Sequence, residues 1–91
     1  MNPMERLRAL VDSDPAAALA LAREDERRSP EARFGDERSF IVMRALVHLG
    51  NIAPARDEAT AFFQKHPESV WAERVERLTG VHPTRHYQNY R

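Results

Sequence analysis

Residues 39–69, SFIVMRALVHLGNIAPARDEATAFFQKHPES, decide how this chain is read. Phe40, Met43 and Val47 recur at helical spacing, and Ile41, Val42, Leu46 and Leu49 widen that stripe until little of the turn is left polar. A helix apolar over so much of its circumference belongs in the middle of a fold. The helix over about Asp36 to Leu49 is therefore expected to be the central, most buried one. Gly50-Asn51 ends it as a left-handed cap requires. Pro54 opens the next helix, in which Ala55, Ala59, Phe62, Phe63 and His66 keep helical spacing, and His66-Pro67 closes it.

Outward from this pair the same punctuation repeats. Met4, Leu7, Leu10 and Val11 mark a first helix over about Pro3 to Val11, interrupted by Asp12-Ser13-Asp14. Asp14 then caps a second helix, with Pro15 at its first position, where the missing N–H costs nothing. This helix runs to about Arg28. Ala16 to Ala22 suit close helix contact, while Arg23 to Arg28 is almost wholly charged and is expected to face water. The Glu24 and Arg28 pair adds tenths of a kcal/mol. A fifth helix, about Glu68 to Thr79, carries Trp71, Val75 and Leu78 on one stripe and closes at Gly80. No Asn-Gly, Asp-Gly or alternating β-branched run predicts strands. The fold class is all-α, about five helices in one domain over residues 1–80, with 81–91 an aperiodic C-terminal tail.

A chain of 91 residues buries only roughly two-thirds of its unfolded surface, so the core must be thin. Lys and Arg together number 14, as do Asp and Glu, and this balance provides no field toward nucleic acid or an anionic membrane. Cysteine is absent, which removes disulfides, thiolate zinc sites and cysteine nucleophiles together. Met1 to Val11 has no signal-peptide pattern, and no window approaches the roughly 18 apolar residues of a spanning helix. Cytoplasmic residence, with no membrane partner, is the expectation.

Shifting the chain on itself by 37 residues lays Ala18 on Ala55, Ala22 on Ala59 and Pro30-Glu31 on Pro67-Glu68. Either two alanine-rich helices align by chance, or the second and fourth helices are equivalent members of a repeated helical pair, as in a stacked solenoid. Residues 39–69 resemble one repeat of the tetratricopeptide family. Gly50 stands at the turn, Ala55 at the small position where the paired helices touch, and Pro67 at the end. The sequence departs from the family at Ser39, where a large aromatic is common, and at Met43, where a small residue is common. Met4 to Pro30 resembles a second repeat more distantly, and the fifth helix resembles the family's capping helix.

This resemblance implies a right-handed stack whose concave face, made by the first helix of each pair, binds a peptide or a partner protein. The matching positions here are Glu37, Phe40, Arg44, Val47 and His48 of the third helix, with Trp71 and Arg74 of the fifth. Glu37, Arg38, Arg44 and His48 would give the third helix a modestly basic exposed stripe. Such a stripe would hold an acidic peptide or a free carboxylate by charge-assisted hydrogen bonds, about 1.5–3 kcal/mol each. The alternative is a solvated face. Two repeats fall short of the usual minimum of about three, so a homodimer is a further expectation.

Hidden chemistry has few candidates. His82 and His86 stand four apart, but Pro83 between them and the lack of periodicity argue for a solvated pair over a zinc site. His66 is expected to serve a helix C-terminus, where a cationic ring meets the carbonyl dipole. Ser13, Ser29, Ser39 and Ser69 fall at caps, turns or a helix start, none in a nucleophile elbow. Phe62, Phe63 and Trp71 are expected in the core. Arg85, His86, Tyr87, Tyr90 and Arg91 mix cations with stacking rings that could bind a single nucleic-acid strand or dock into a partner groove, a weak signal against the simpler expectation of an exposed tail. The chain is therefore expected to be a non-enzymatic interaction module without cofactor or metal. A regulatory nucleic-acid-binding helical protein is the alternative, disfavoured by the net charge and the apolar third helix.

Overall fold

The computed structural model describes residues 2–83. Within them are five α-helices: α1 (Pro3–Ser13), α2 (Pro15–Arg28), α3 (Gly35–His48), α4 (Ile52–Lys65) and α5 (Ala72–Thr79). The fold is all-α, and no strand occurs among the described residues. The tail from Thr84 onward, with His86 of the histidine pair and the Arg85 to Arg91 cluster, lies outside them.

Local chemistry explains most boundaries. Asn2 caps α1 through a capping box, its side chain accepting from the Glu5 N–H while Glu5 accepts from the Asn2 N–H. Asp14 accepts from the Ala17 N–H, and Pro15 occupies the first turn of α2. Gly50 and Gly80 close α3 and α5 at φ +80° and +75°, the left-handed region that glycine enters without cost. Two starts differ from the sequence expectation. Helix α4 begins two residues before Pro54, because Pro54 still lies among the first-turn N–H groups that have no helical acceptor. Helix α5 begins at Ala72, because Glu68 to Trp71 form a turn in which Ser69 Oγ accepts from the Trp71 N–H.

Side-chain pairs set the directions of the helices. Along α1, Arg8 meets Glu37 and Asp12 meets Arg44, so α1 and α3 run parallel. Phe40 against Trp71 makes α3 and α5 parallel at their N-terminal ends. Asp25 on Arg38 sets α2 antiparallel to α3, and Arg56 on the Thr79 carbonyl does the same for α4 and α5. Helices α1, α3 and α5 thus form one layer and α2 and α4 the other, with Arg23 reaching Glu58 between the latter two. Helices α2 and α4 start and end 37 positions apart.

The core has two parts that share α3. Met4, Leu7, Val11, Ala18, Ala22, Ala55, Ile41, Val42 and Leu46 fill the first; Met43, Ala59, Phe62, Phe63 and Val75 fill the second. Ala18, Ala22, Ala55 and Ala59 are all fully buried, and small side chains at these contacts let the backbones approach. Phe62 and Phe63 lie in the core as expected, and Trp71 is half-buried at its edge.

Enlarging a contact alanine should therefore be costly. Ala18→Leu and Ala55→Leu are each expected to lower unfolding free energy by about 1–3 kcal/mol in urea titrations, while Ala20→Leu, on the exposed side of α2, should stay within about 0.5 kcal/mol.

Candidate functional site

The seven residues expected to bind a partner lie on α3 and at the start of α5, around the outer face of the α1–α3–α5 layer. On α3 they follow one stripe, 37, 40, 44, 47 and 48, which the neighbouring helices divide into two halves.

The half toward α1 is polar. Arg8 grips Glu37 with both ends of its guanidinium, Nε to Oε2 and Nη2 to Oε1, each at 2.7 Å. That hydrogen bonding raises the Arg8 guanidinium above its ordinary pKa; desolvation opposes the shift, and the charges of Glu37 and Glu5 add to it. Glu37 itself is only 7% exposed. It supports the face from beneath instead of lying open on a basic stripe. Farther along, Arg44 Nη2 donates to Asp12 Oδ1, and His48 Nε2 stands 3.6 Å from the same oxygen. Sliding α1 so that Arg8 opposed Arg44 would set like charges together, so the pairs also specify the register of α1 on α3.

The half toward α5 is aromatic. The rings of Phe40 and Trp71 are 5.2 Å apart, and the Arg74 guanidinium lies 4.7 Å from the Trp71 ring centre. A cation over an indole contributes about 0.5–1 kcal/mol at a surface and more when a bound partner excludes water. Val47 is half-buried against the first core cluster. The structure therefore brings Phe40, Trp71 and Arg74 together and pairs Glu37, Arg44 and His48 with α1, all around one surface.

Arg38 leaves this face altogether. It is 5% exposed and turns toward α2, its Nη1 donating to Asp25 Oδ2 and to the Ser29 carbonyl, both at 3.0 Å. Asp25 consequently does not face water with the rest of the charged run Arg23 to Arg28. The remaining charges of that run are more open: Glu24 and Arg28 meet at 3.5 Å, both more than half-exposed.

On the opposite side, α2, α3 and α4 enclose a cleft of about 240 Å³ bordered by Glu26, Ser39, Glu58, Phe62 and His66. Its carboxylates are already engaged: Glu58 accepts from Ser39 Oγ at 2.9 Å and pairs with Arg23, which also holds Glu26. His66 is the residue closing α4 and packs on Phe62, ring centres 5.5 Å apart. His82, exposed, lies 3.1 Å from Glu76. Among the described residues no group of three or more His, Cys, Asp or Glu side chains is arranged to hold a metal ion, and no helix is long and apolar enough to cross a membrane.

Sequence reasoning missed Arg8 and Asp12, although their opposite charges four apart on one helix were a readable signal. It also missed Asp25 as the partner of Arg38, for which no local signal exists. No protein-family model matches the chain, and neither does any curated protein or solved structure.

The Asp25–Arg38 contact gives a sharp prediction. Asp25→Ala leaves a buried guanidinium without its carboxylate and should cost about 3 kcal/mol. The double variant Asp25→Leu/Arg38→Met should recover most of that loss, and Glu24→Ala, at the exposed pair, should change stability by less than about 0.5 kcal/mol, all read from chemical denaturation.

Proposed function

We propose that this chain is a non-enzymatic protein-interaction module of the tetratricopeptide type, whose α1–α3–α5 face receives an extended peptide or a helix from a partner protein. One observation carries the reading: three parallel helices present a continuous surface with half-buried aromatics on one side, Phe40 and Trp71, and partly exposed guanidinium and imidazole groups on the other, Arg44 and His48. Interface centres favour aromatic and arginine side chains because they bury much area and still satisfy polar contacts. Here their geometry is fixed before a partner arrives, which lowers the ordering cost of binding. The 37-residue offset of α2 and α4, and the glycine and alanine positions at the α3–α4 turn and contact, support the family assignment.

Self-association belongs to the same reading. Leu49 and Ile52 are 40% and 50% exposed at the α3–α4 turn, and a stack of two hairpins leaves its ends without neighbours. Cytoplasmic residence accords with the lack of cysteine.

Photo-crosslinking distinguishes this face from the rest of the surface. A benzophenone side chain replacing His48 should yield discrete adducts in cell extract that are lost when Trp71→Ala and Arg74→Glu are added. The same probe replacing Gln64, exposed on α4, should yield none. Equal adducts from both positions, or adducts indifferent to the double substitution, would contradict the assignment of the face.

A further inference from the structure

A second hollow, of about 410 Å³, opens where the start of α1 meets the loop between α2 and α3. Pro3, Met4, Ala32 and Phe34 make its apolar wall, while three guanidiniums, of Arg8, Arg33 and Arg38, border it against one carboxylate, that of Asp25. These charges are unequally committed. Arg38 and Asp25 cancel each other in their buried contact. Arg8 uses Nε and Nη2 on Glu37, and its side chain is half-exposed. Arg33 makes no ion pair among the described residues; its guanidinium lies 5.7 Å from the centre of the Phe34 ring. Phe34 is 47% exposed, one of the few large apolar side chains so placed. Glu5, the other acid at this end of α1, is engaged in the capping box with Asn2.

We infer that this hollow is a binding site for an acidic peptide segment, which lays one large apolar side chain beside Phe34 and sets a flanking carboxylate on Arg33, with Arg8 as the second cation. Charge complementarity selects this occupant. The lining carries cations in excess, and Arg33, which has no carboxylate partner among the described residues, lies over a ring that also offers apolar contact. A guanidinium over a ring can still donate to a carboxylate, both of whose oxygens its N–H groups match in one plane. A neutral segment would gain only the ring contact, and a basic one would meet repulsion from Arg33 and Arg8. The site stands at the loop end of the helices, and its assignment does not rest on the role proposed for the α1–α3–α5 face.

The test is a titration of the full ¹⁵N-labelled chain with the capped peptide Glu-Asp-Leu-Phe-Asp-Glu, followed by amide shifts, beside its Gln-Asn-Leu-Phe-Asn-Gln and Lys-Lys-Leu-Phe-Lys-Lys counterparts and decanoate. The acidic peptide should give saturable shifts centred on Met4, Ala32 and Phe34, with affinity falling as salt is raised. The amide peptide should bind about tenfold more weakly, as should the acidic peptide to Arg33→Glu, the loss of one charge-assisted contact. Arg33 is exposed, and an unchanged helical circular dichroism spectrum keeps that variant interpretable; Arg33→Gln serves in its place if it unfolds. Arg77→Gln, exposed on α5, should leave the titration unchanged, and because the shifts centre on the loop end and not on Phe40 and Trp71, failure here and failure of the α1–α3–α5 face are read separately. No saturable shift at millimolar peptide, shifts centred elsewhere, equal binding of the lysine peptide, full affinity in both Arg33 variants, or tighter binding of decanoate would each overturn the proposal.

Discussion

The burial of α3 on both of its flanks is the constraint on which the rest of the structure depends. Ile41, Val42 and Leu46 pack with α1, α2 and Ala55 of α4, and Met43 packs with α4 and α5. Neither helical pair could bury its apolar face without this helix. A chain of 91 residues has no second core to fall back on. The polar residues that α3 does carry in its first turns are therefore tied down: Asp36 accepts from Ser69 Oγ at 2.6 Å, Glu37 is held by Arg8, and Arg38 by Asp25. Asp36 and Glu37 also sit where negative charge complements the start of a helix.

These contacts connect packing to the proposed function. The Arg8–Glu37 and Asp12–Arg44 pairs fix how α1 lies along α3, and the Phe40–Trp71–Arg74 stack fixes how α5 lies on the other side. The surface between them takes its shape from those pairs, so a partner would meet a prepared face instead of a set of independent side chains. Hydrogen bonds of Ser69 to Asp36 and to the Trp71 N–H carry the same logic to the α4–α5 turn, which places Trp71 beside Phe40.

Much of this was legible in the sequence because it is encoded locally. Asp14-Pro15, Gly50 and Gly80 act within one turn of chain, and the start of α2 and the ends of α3 and α5 fall where they predict. The alanines at 18, 22, 55 and 59 announced close contact through size alone. What was not legible depends on residues far apart in the chain. Arg38 reads as one more surface cation until α2 folds back and sets Asp25 against it, and Glu37 reads as a groove residue until α1 brings Arg8 over it. Pro54 misled for a subtler reason, since proline is tolerated anywhere in a first turn and does not mark the first residue uniquely. Phe34, half-exposed beside the arginines of the loop end, carries no periodic signal because it lies between helices.

Native-state hydrogen exchange tests the central claim most directly, since it ranks the helices by the free energy needed to open them. If α3 is the wall shared by both halves of the core, the amides of Ile41 to Leu46 should be the last to exchange, at the free energy of global unfolding. Protection persisting in α1 and α2, or in α4 and α5, after α3 has exchanged would contradict the account.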